Sequence, residues 1–119
     1  MTFNWMDYID LSEKLLEGSK ESYFRSSISR TYHGVLCIAR NWKGYRYHST
    51  PNHDVVIKKY KNSTDTNEQE IGQILDKLRK SRVEADYNEN KSIDKAIAER
   101  AVKSAKEILS IMDSSRHKG

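Results

Sequence analysis

Residues 21–42 read ESYFRSSISRTYHGVLCIARNW, and their spacing decides the fold. Phe24, Ile28, Tyr32, Val35, Leu36, Ala39 and Trp42 recur at the intervals that place side chains on one face of an α-helix. A neighbouring face carries Ser26, Arg30, Gly34, Cys37 and Asn41, where small residues let another helix approach closely. Glycine inside a helix costs about 1 kcal/mol against alanine, so Gly34 implies a packing reason. The segment predicts a long central helix from about Glu21 to Trp42.

The flanking segments keep the helical period. Trp5, Tyr8, Ile9, Leu11, Leu15 and Leu16 predict an amphipathic helix that Gly18 and Ser19 end. Lys43 to Pro51, with Gly44 and the sole proline, reads as a loop. A short helix then begins at Asn52 or His53 and runs through Val55, Val56, Ile57 and Tyr60. After the polar loop Lys61 to Asn67, Ile71, Ile74, Leu75, Leu78 and Ala85 mark a helix from roughly Glu68. Asn88 to Lys91 breaks the pattern, and Ser92 is the expected cap of a last helix striped by Ile93, Ile97, Ala101, Ala105, Ile108 and Met112. Ser114 to Gly119 is expected to fray. No run alternates as a strand does. The expected fold is all-α, a bundle of four main helices with an additional short one. A chain of 119 residues fits a single helical domain, 1–119.

Composition narrows the chemistry. Net charge is a mild +4, from 21 Lys and Arg against 17 Asp and Glu. The single cysteine, Cys37, excludes an internal disulfide and a cysteine-rich zinc site. No apolar run approaches the roughly 18 to 20 residues that span a bilayer, and Met1 to Asp7 lacks the basic and apolar regions of a secretory signal. A reducing cytoplasm, with no membrane contact, is therefore expected. Phosphate loops, dinucleotide fingerprints and His-Glu-x-x-His are missing, so no cofactor is expected. His48, His53 and Asp54 are too few and too loop-borne to predict a metal.

Three places carry possible chemistry. Between Arg40 and Lys61 the basic residues Arg40, Lys43, Arg46, Lys58, Lys59 and Lys61 outnumber the lone acid Asp54 and interleave with Trp42, Tyr45, Tyr47 and Tyr60. Such a mixture suits a phosphate backbone and stacked bases, and equally suits a solvated connector. His33 and Cys37 stand one helical turn apart, the spacing of a thiolate–imidazole pair or of a histidine beside a buried thiol. In LRKSRVEADY, residues 78–87, Arg79 and Arg82 share a helical face, with Asp86 and Tyr87 at the helix end. Arginine holds phosphate oxygens in a bidentate fork, and an Asp or Tyr beside it can hold or polarise a hydroxyl. The alternative is an Arg–Asp ion pair that ties the helix end to the next loop.

Several of these segments resemble one family. Ser26-Ser27-Ile28-Ser29-Arg30-Thr31-Tyr32-His33-Gly34-Val35 is similar to the SAISRAYYAAF segment of small prokaryotic HEPN-domain proteins. Phe3-Asn4-Trp5-Met6-Asp7-Tyr8 resembles the opening of one branch of them, and His53 falls where a recurrent histidine stands. Leu78-Arg79, Arg82 and Ala85-Asp86-Tyr87 match an LRxxRxxADY element. The resemblance implies a HEPN-like four-helix bundle that dimerises. It also implies RNA or nucleotide as partner, and a place in a prokaryotic defence or toxin–antitoxin system, often beside a nucleotidyltransferase or other operon partner. Many such relatives are metal-independent endoribonucleases whose motif is an arginine followed one to two helical turns later by a histidine. Arg82 stands at that arginine, but Val83 to Asn90 holds no histidine, and Tyr87 stands where it would be. Tyrosine, with a pKa near 10 against about 6.5 for histidine, accepts protons poorly at neutral pH. His33 likewise replaces the family's second tyrosine.

Three function classes follow. The first is a non-canonical RNA- or nucleotide-associated module that binds through Arg79, Arg82, Arg40, Lys43, Arg46, Lys58 and Lys59. The second is an active endoribonuclease toxin in which Arg82 steadies the phosphate and His53 supplies the missing base, with Asp86 and Tyr87 at its edge. The third is a non-catalytic assembly or antitoxin-type partner. A homodimer is expected from the resemblance and from Trp42, Tyr45 and Tyr47, aromatics suited to an interface.

Overall fold

The computed structural model describes residues 2–44 and 53–117. Five helices follow one another: α1 (Met6–Leu15), α2 (Glu21–Trp42), α3 (His53–Lys61), α4 (Thr66–Tyr87) and α5 (Lys95–His117). No strand occurs among the described residues, and no helix of theirs is long and apolar enough to cross a membrane. Helix α2 packs against all four others. Its Ile28, Tyr32, Val35, Leu36 and Ala39 are fully buried, in one core with Ile9, Val56, Ile71, Leu75, Ile93 and Ile108. Trp42, expected at an interface, is half-buried against that core. Gly34 has the predicted packing reason. A Cβ there would stand 3.0 Å from Tyr8 Cβ and Ile9 Cδ1 and 3.2 Å from the Trp5 carbonyl, so α1 crosses α2 at that point. The buried Ser27 hydroxyl donates to the Ser12 carbonyl at 2.8 Å and pins the same crossing.

Helix ends differ from the sequence expectation where a cap decides them. Asp65 accepts from the amides of Asn67 (2.8 Å) and Glu68 (3.1 Å), which starts α4 at Thr66 instead of near Glu68. Asp94, not Ser92, caps α5 by accepting from the Ile97 amide at 2.9 Å. Ile93 is buried ahead of the helix, so the cap must follow it. At the far end α5 continues through Ser114 to His117, where fraying is expected, and the Asn67 side chain donates to Ser115 Oγ at 3.3 Å.

One long-range clamp sets the position of α4. The helix has no basic residue in its last turn, so its terminal carbonyls lack a cation of their own. Arg25 of α2 supplies one. Its guanidinium donates to the carbonyls of Ala85 (3.0 Å) and Asn88 (3.1 Å), to that of Lys91, and more weakly to Glu84 (3.4 Å). Glu21, one turn earlier, holds the arginine from behind at 2.7 Å. An uncapped, partly buried set of carbonyls costs about 1.5–3 kcal/mol per lost charged hydrogen bond. Arg25→Met, which removes several such bonds, is expected to destabilise the fold by at least the contribution of one of them, about 1.5–3 kcal/mol, read as a lower urea midpoint with unchanged slope.

Gly72 supplies a second expectation. An added Cβ would lie 2.6 Å from the Lys61 amide nitrogen and 3.0 Å from its Cα, which are backbone atoms at the end of α3. Alanine gains about 1 kcal/mol of helix propensity, but the clash forces α3 and α4 apart at a cost of about 1–3 kcal/mol. Gly72→Ala should therefore lower the melting temperature. A rise would show that the α3–α4 contact is loose.

Candidate active site

Helical spacing brings three α2 side chains to one place: Ser29, Tyr32 and His33 lie a turn apart and face α4 and the start of α3. Helix α4 presents Arg82 and Asp86, also a turn apart, and α3 opens on His53. Tyr32 is the hub. Its ring is buried in the core while its hydroxyl lies 2.9 Å from His53 Nδ1. The His33 ring stands 5.4 Å from the Tyr32 ring and 5.8 Å from that of His53, centre to centre. The Arg82 guanidinium carbon sits 5.4 Å over the Tyr32 ring and 6.0 Å from the Tyr87 ring. Asp86 touches Arg82 at only 3.5 Å, a marginal bond, and accepts from Ser29 Oγ at 3.3 Å. Arg82 Nε is buried without a partner. A donor of this kind, in a guanidinium with one long ion pair, retains capacity for an anion.

Electrostatics follows from burial and from nearby cations, Arg82 foremost. Burial first, and then Arg82, hold His53 below its ordinary value of 6.5. His33 is lowered by burial, then by Arg82, His53 and Arg30, with Asp86 opposing. Burial pushes the Tyr32 phenol up to about 12, against the pull of Arg82 and Arg79, so it stays protonated at neutral pH. Two imidazoles biased toward the neutral form can accept a proton and, once charged, donate one, while the guanidinium beside them holds an oxyanion.

The sequence candidates separate in space. Arg82, His53 and Asp86 come together around Tyr32, and Tyr87 stands at the rim, 74 % exposed. Arg79 is drawn instead into ion pairs with Asp54 and with Asp76 (2.8 Å), so its guanidinium is already engaged. Arg40 lies at the far end of α2, bonded to Asn41 at 3.0 Å and 6.0 Å from the Trp5 ring. Lys43 pairs with Glu68 at 2.8 Å. Lys58 and Lys59 are exposed on α3. Arg46, with Tyr45, Tyr47 and His48, lies outside the described residues.

Chain proximity misleads at Cys37. Burial raises its thiol, while His33 is lowered, which is opposite to what a thiolate–imidazolium pair requires. The partner of His33 is instead His53, twenty positions away, and the part of Tyr32 in orienting a histidine was hidden in the apolar stripe. The signal available was the row Ser29, Tyr32 and His33 on one edge of α2. For metal, no group of three or more His, Cys, Asp or Glu side chains gathers among the described residues. Of the residues weighed as ligands, His53 and Asp54 lie on α3, where His53 Nδ1 contacts the Tyr32 hydroxyl and Asp54 pairs with Arg79, and His48 lies outside the described residues.

A family model described as HEPN domain matches residues 36–115, about two thirds of the chain. No curated protein and no solved structure matches it.

The two lowered imidazoles fix a pH dependence. An unfolded chain takes up protons as pH falls through about 6.5, before the folded one does, so it gains stability there relative to the fold. Stability is full above that value and is lost as pH falls through the folded-state values of His33 and His53. Urea unfolding between about pH 5 and pH 7.5 should show this slope, and the double variant His33→Gln, His53→Gln should flatten it. Arg82→Gln should raise both imidazole midpoints in an NMR titration.

Proposed function

The chain belongs to the HEPN-domain family, and we propose from that membership and from the grouping around Tyr32 that it binds RNA and cleaves it without a metal, at Arg82 and His53. Membership supports a nucleotide- or RNA-associated role in general. The observation that carries the finer reading is the contact of His53 Nδ1 with the Tyr32 hydroxyl while Arg82 lies over the same ring. When Nδ1–H donates to Tyr32 Oη, the lone pair of His53 is on Nε2 and the ring is fixed in direction. That nitrogen takes the proton of a ribose 2′-hydroxyl, and the Arg82 fork, lying over the Tyr32 ring, carries the charge of the phosphate under attack. A histidine brought in from α3 thus does the work that the absent motif histidine does in relatives. A homodimer, a nucleotidyltransferase or other operon partner, and a place in a prokaryotic defence or toxin–antitoxin system belong to the same proposal and rest on the resemblance.

One observation favours a second reading, RNA binding without cleavage. Tyr87, exposed beside Arg82, is a stacking platform where relatives have a histidine. Single-stranded RNA with excess chelator separates the two. Cleavage leaving 2′,3′-cyclic phosphate ends, abolished by His53→Ala with binding retained, is the expected result. Arg82→Ala removes a charged contact of about 1.5–3 kcal/mol, so affinity should fall by about one to two orders of magnitude. Binding should also weaken steeply with salt. Binding without any cleavage would establish the second reading, and loss of neither on Arg82→Ala would make Arg82 a structural residue.

A further inference from the structure

Resting on the reading of Arg82 and His53 as a phosphodiester site, we propose that His33 is its general acid, donating a proton to the 5′-oxygen that leaves. The cluster holds two imidazoles, and only one is needed to activate a 2′-hydroxyl. Their surroundings differ in the way two roles require. His53 is held by Tyr32 through Nδ1, which fixes the direction of its ring and leaves Nε2, the base when Nδ1 carries the proton, for substrate. His33 makes ring contacts with Tyr32 and His53, and neither of its nitrogens has a hydrogen-bond partner among the described residues. It is half-buried and near enough to Asp86 for that carboxylate to favour its charged form. With ring centres 5.8 Å apart, each imidazole can reach a different oxygen of one phosphodiester by a bond of about 2.6–3.2 Å.

The step balances without a co-reactant. The 2′-hydroxyl proton passes to His53 Nε2 as the 2′-oxygen forms its bond to phosphorus. The P–O5′ bond breaks with its electron pair going to the 5′-oxygen, and that oxygen takes the proton from His33. A 2′,3′-cyclic phosphate and a 5′-hydroxyl result, with His53 protonated and His33 neutral; exchange with water restores both. The acid must be charged when substrate is bound, and the phosphate provides for this. Its negative charge beside Arg82 offsets the cation that, after burial, holds His33 down.

A substrate whose leaving 5′-oxygen is replaced by sulfur tests this, because a thiolate leaves without an acid. Single-turnover cleavage of a normal and a 5′-thio oligoribonucleotide is compared for the wild type, His33→Gln, His33→Asn and His53→Ala. Two replacements at position 33 guard against one that fits the half-buried site poorly. Loss of a general acid should slow the normal substrate by about 10²–10⁴-fold, with the thio substrate restored to within a few-fold of wild type. His53→Ala should stay slow on both. Position-33 variants equally slow on both substrates, or unimpaired on the normal one, would overturn the assignment while leaving the Arg82–His53 reading standing. A wild type that cleaves neither substrate would remove that reading, and this one with it.

Discussion

Arg25 holds the end of one helix from the side of another, and the geometry of the candidate site depends on it. Helix α4 ends with free carbonyls and no cation of its own, so its last turn needs an external donor to stay wound. The Arg25 fork reaches the carbonyls of Ala85, Asn88 and Lys91 together, fixing both the helix end and the turn that leads to α5. Arg82, Asp86 and Tyr87 occupy that last turn and a half. Their placement beside α2 follows from a backbone clamp, to which the side chains add the long Ser29–Asp86 and Arg82–Asp86 contacts and the stacking of Arg82 over Tyr32.

The second constraint is Tyr32. A buried phenol must find a partner for its hydroxyl, since an unsatisfied one costs about 1–3 kcal/mol. Here the partner is the first residue of α3, so the apolar packing of Val56, Ile57 and Tyr60 and the polar contact at His53 position the same short helix. The core and the site therefore share a wall: the ring face of Tyr32 lies under the Arg82 guanidinium, and its edge hydroxyl orients an imidazole. Low solvent access then shapes the chemistry. It drives both histidines toward the neutral form, and Arg82 adds to the effect in each. Burial alone would yield inert side chains; burial beside one cation with a buried, unpartnered Nε gives groups that respond when an anion arrives.

The mild positive charge of the chain reads differently once its cations are placed. Arg79, Lys43 and Lys61 face carboxylates on neighbouring helices, and these pairs lace α4 to α2 and α3. A basic patch counted along the sequence is thus partly spent on cohesion between helices. Arg82 differs because Asp86, its one carboxylate, stands at 3.5 Å and is shared with Ser29.

Much of this architecture was legible in the chain. The stripe from Phe24 to Trp42 specified the length and centrality of α2, because a 3.6-residue period has one consistent burial pattern. Gly34 announced a close helix crossing, though not that α1 makes it, and Arg82 and Asp86 share one face of α4 by their spacing alone. Local signals fell short where a cap competes with burial: Ser92 is a good cap by type, but Ile93 had to enter the core first, and Asp94 took the role. They fell short again wherever partners are distant in sequence. Nothing near Arg25 reveals that it serves α4, and nothing near His33 points to His53, because hydrogen bonds and ring contacts depend on separation in space. The sequence by itself determined which faces are apolar and hence an all-α bundle. Only the tertiary structure decided which polar groups meet, since that depends on how whole helices cross once their apolar faces are buried.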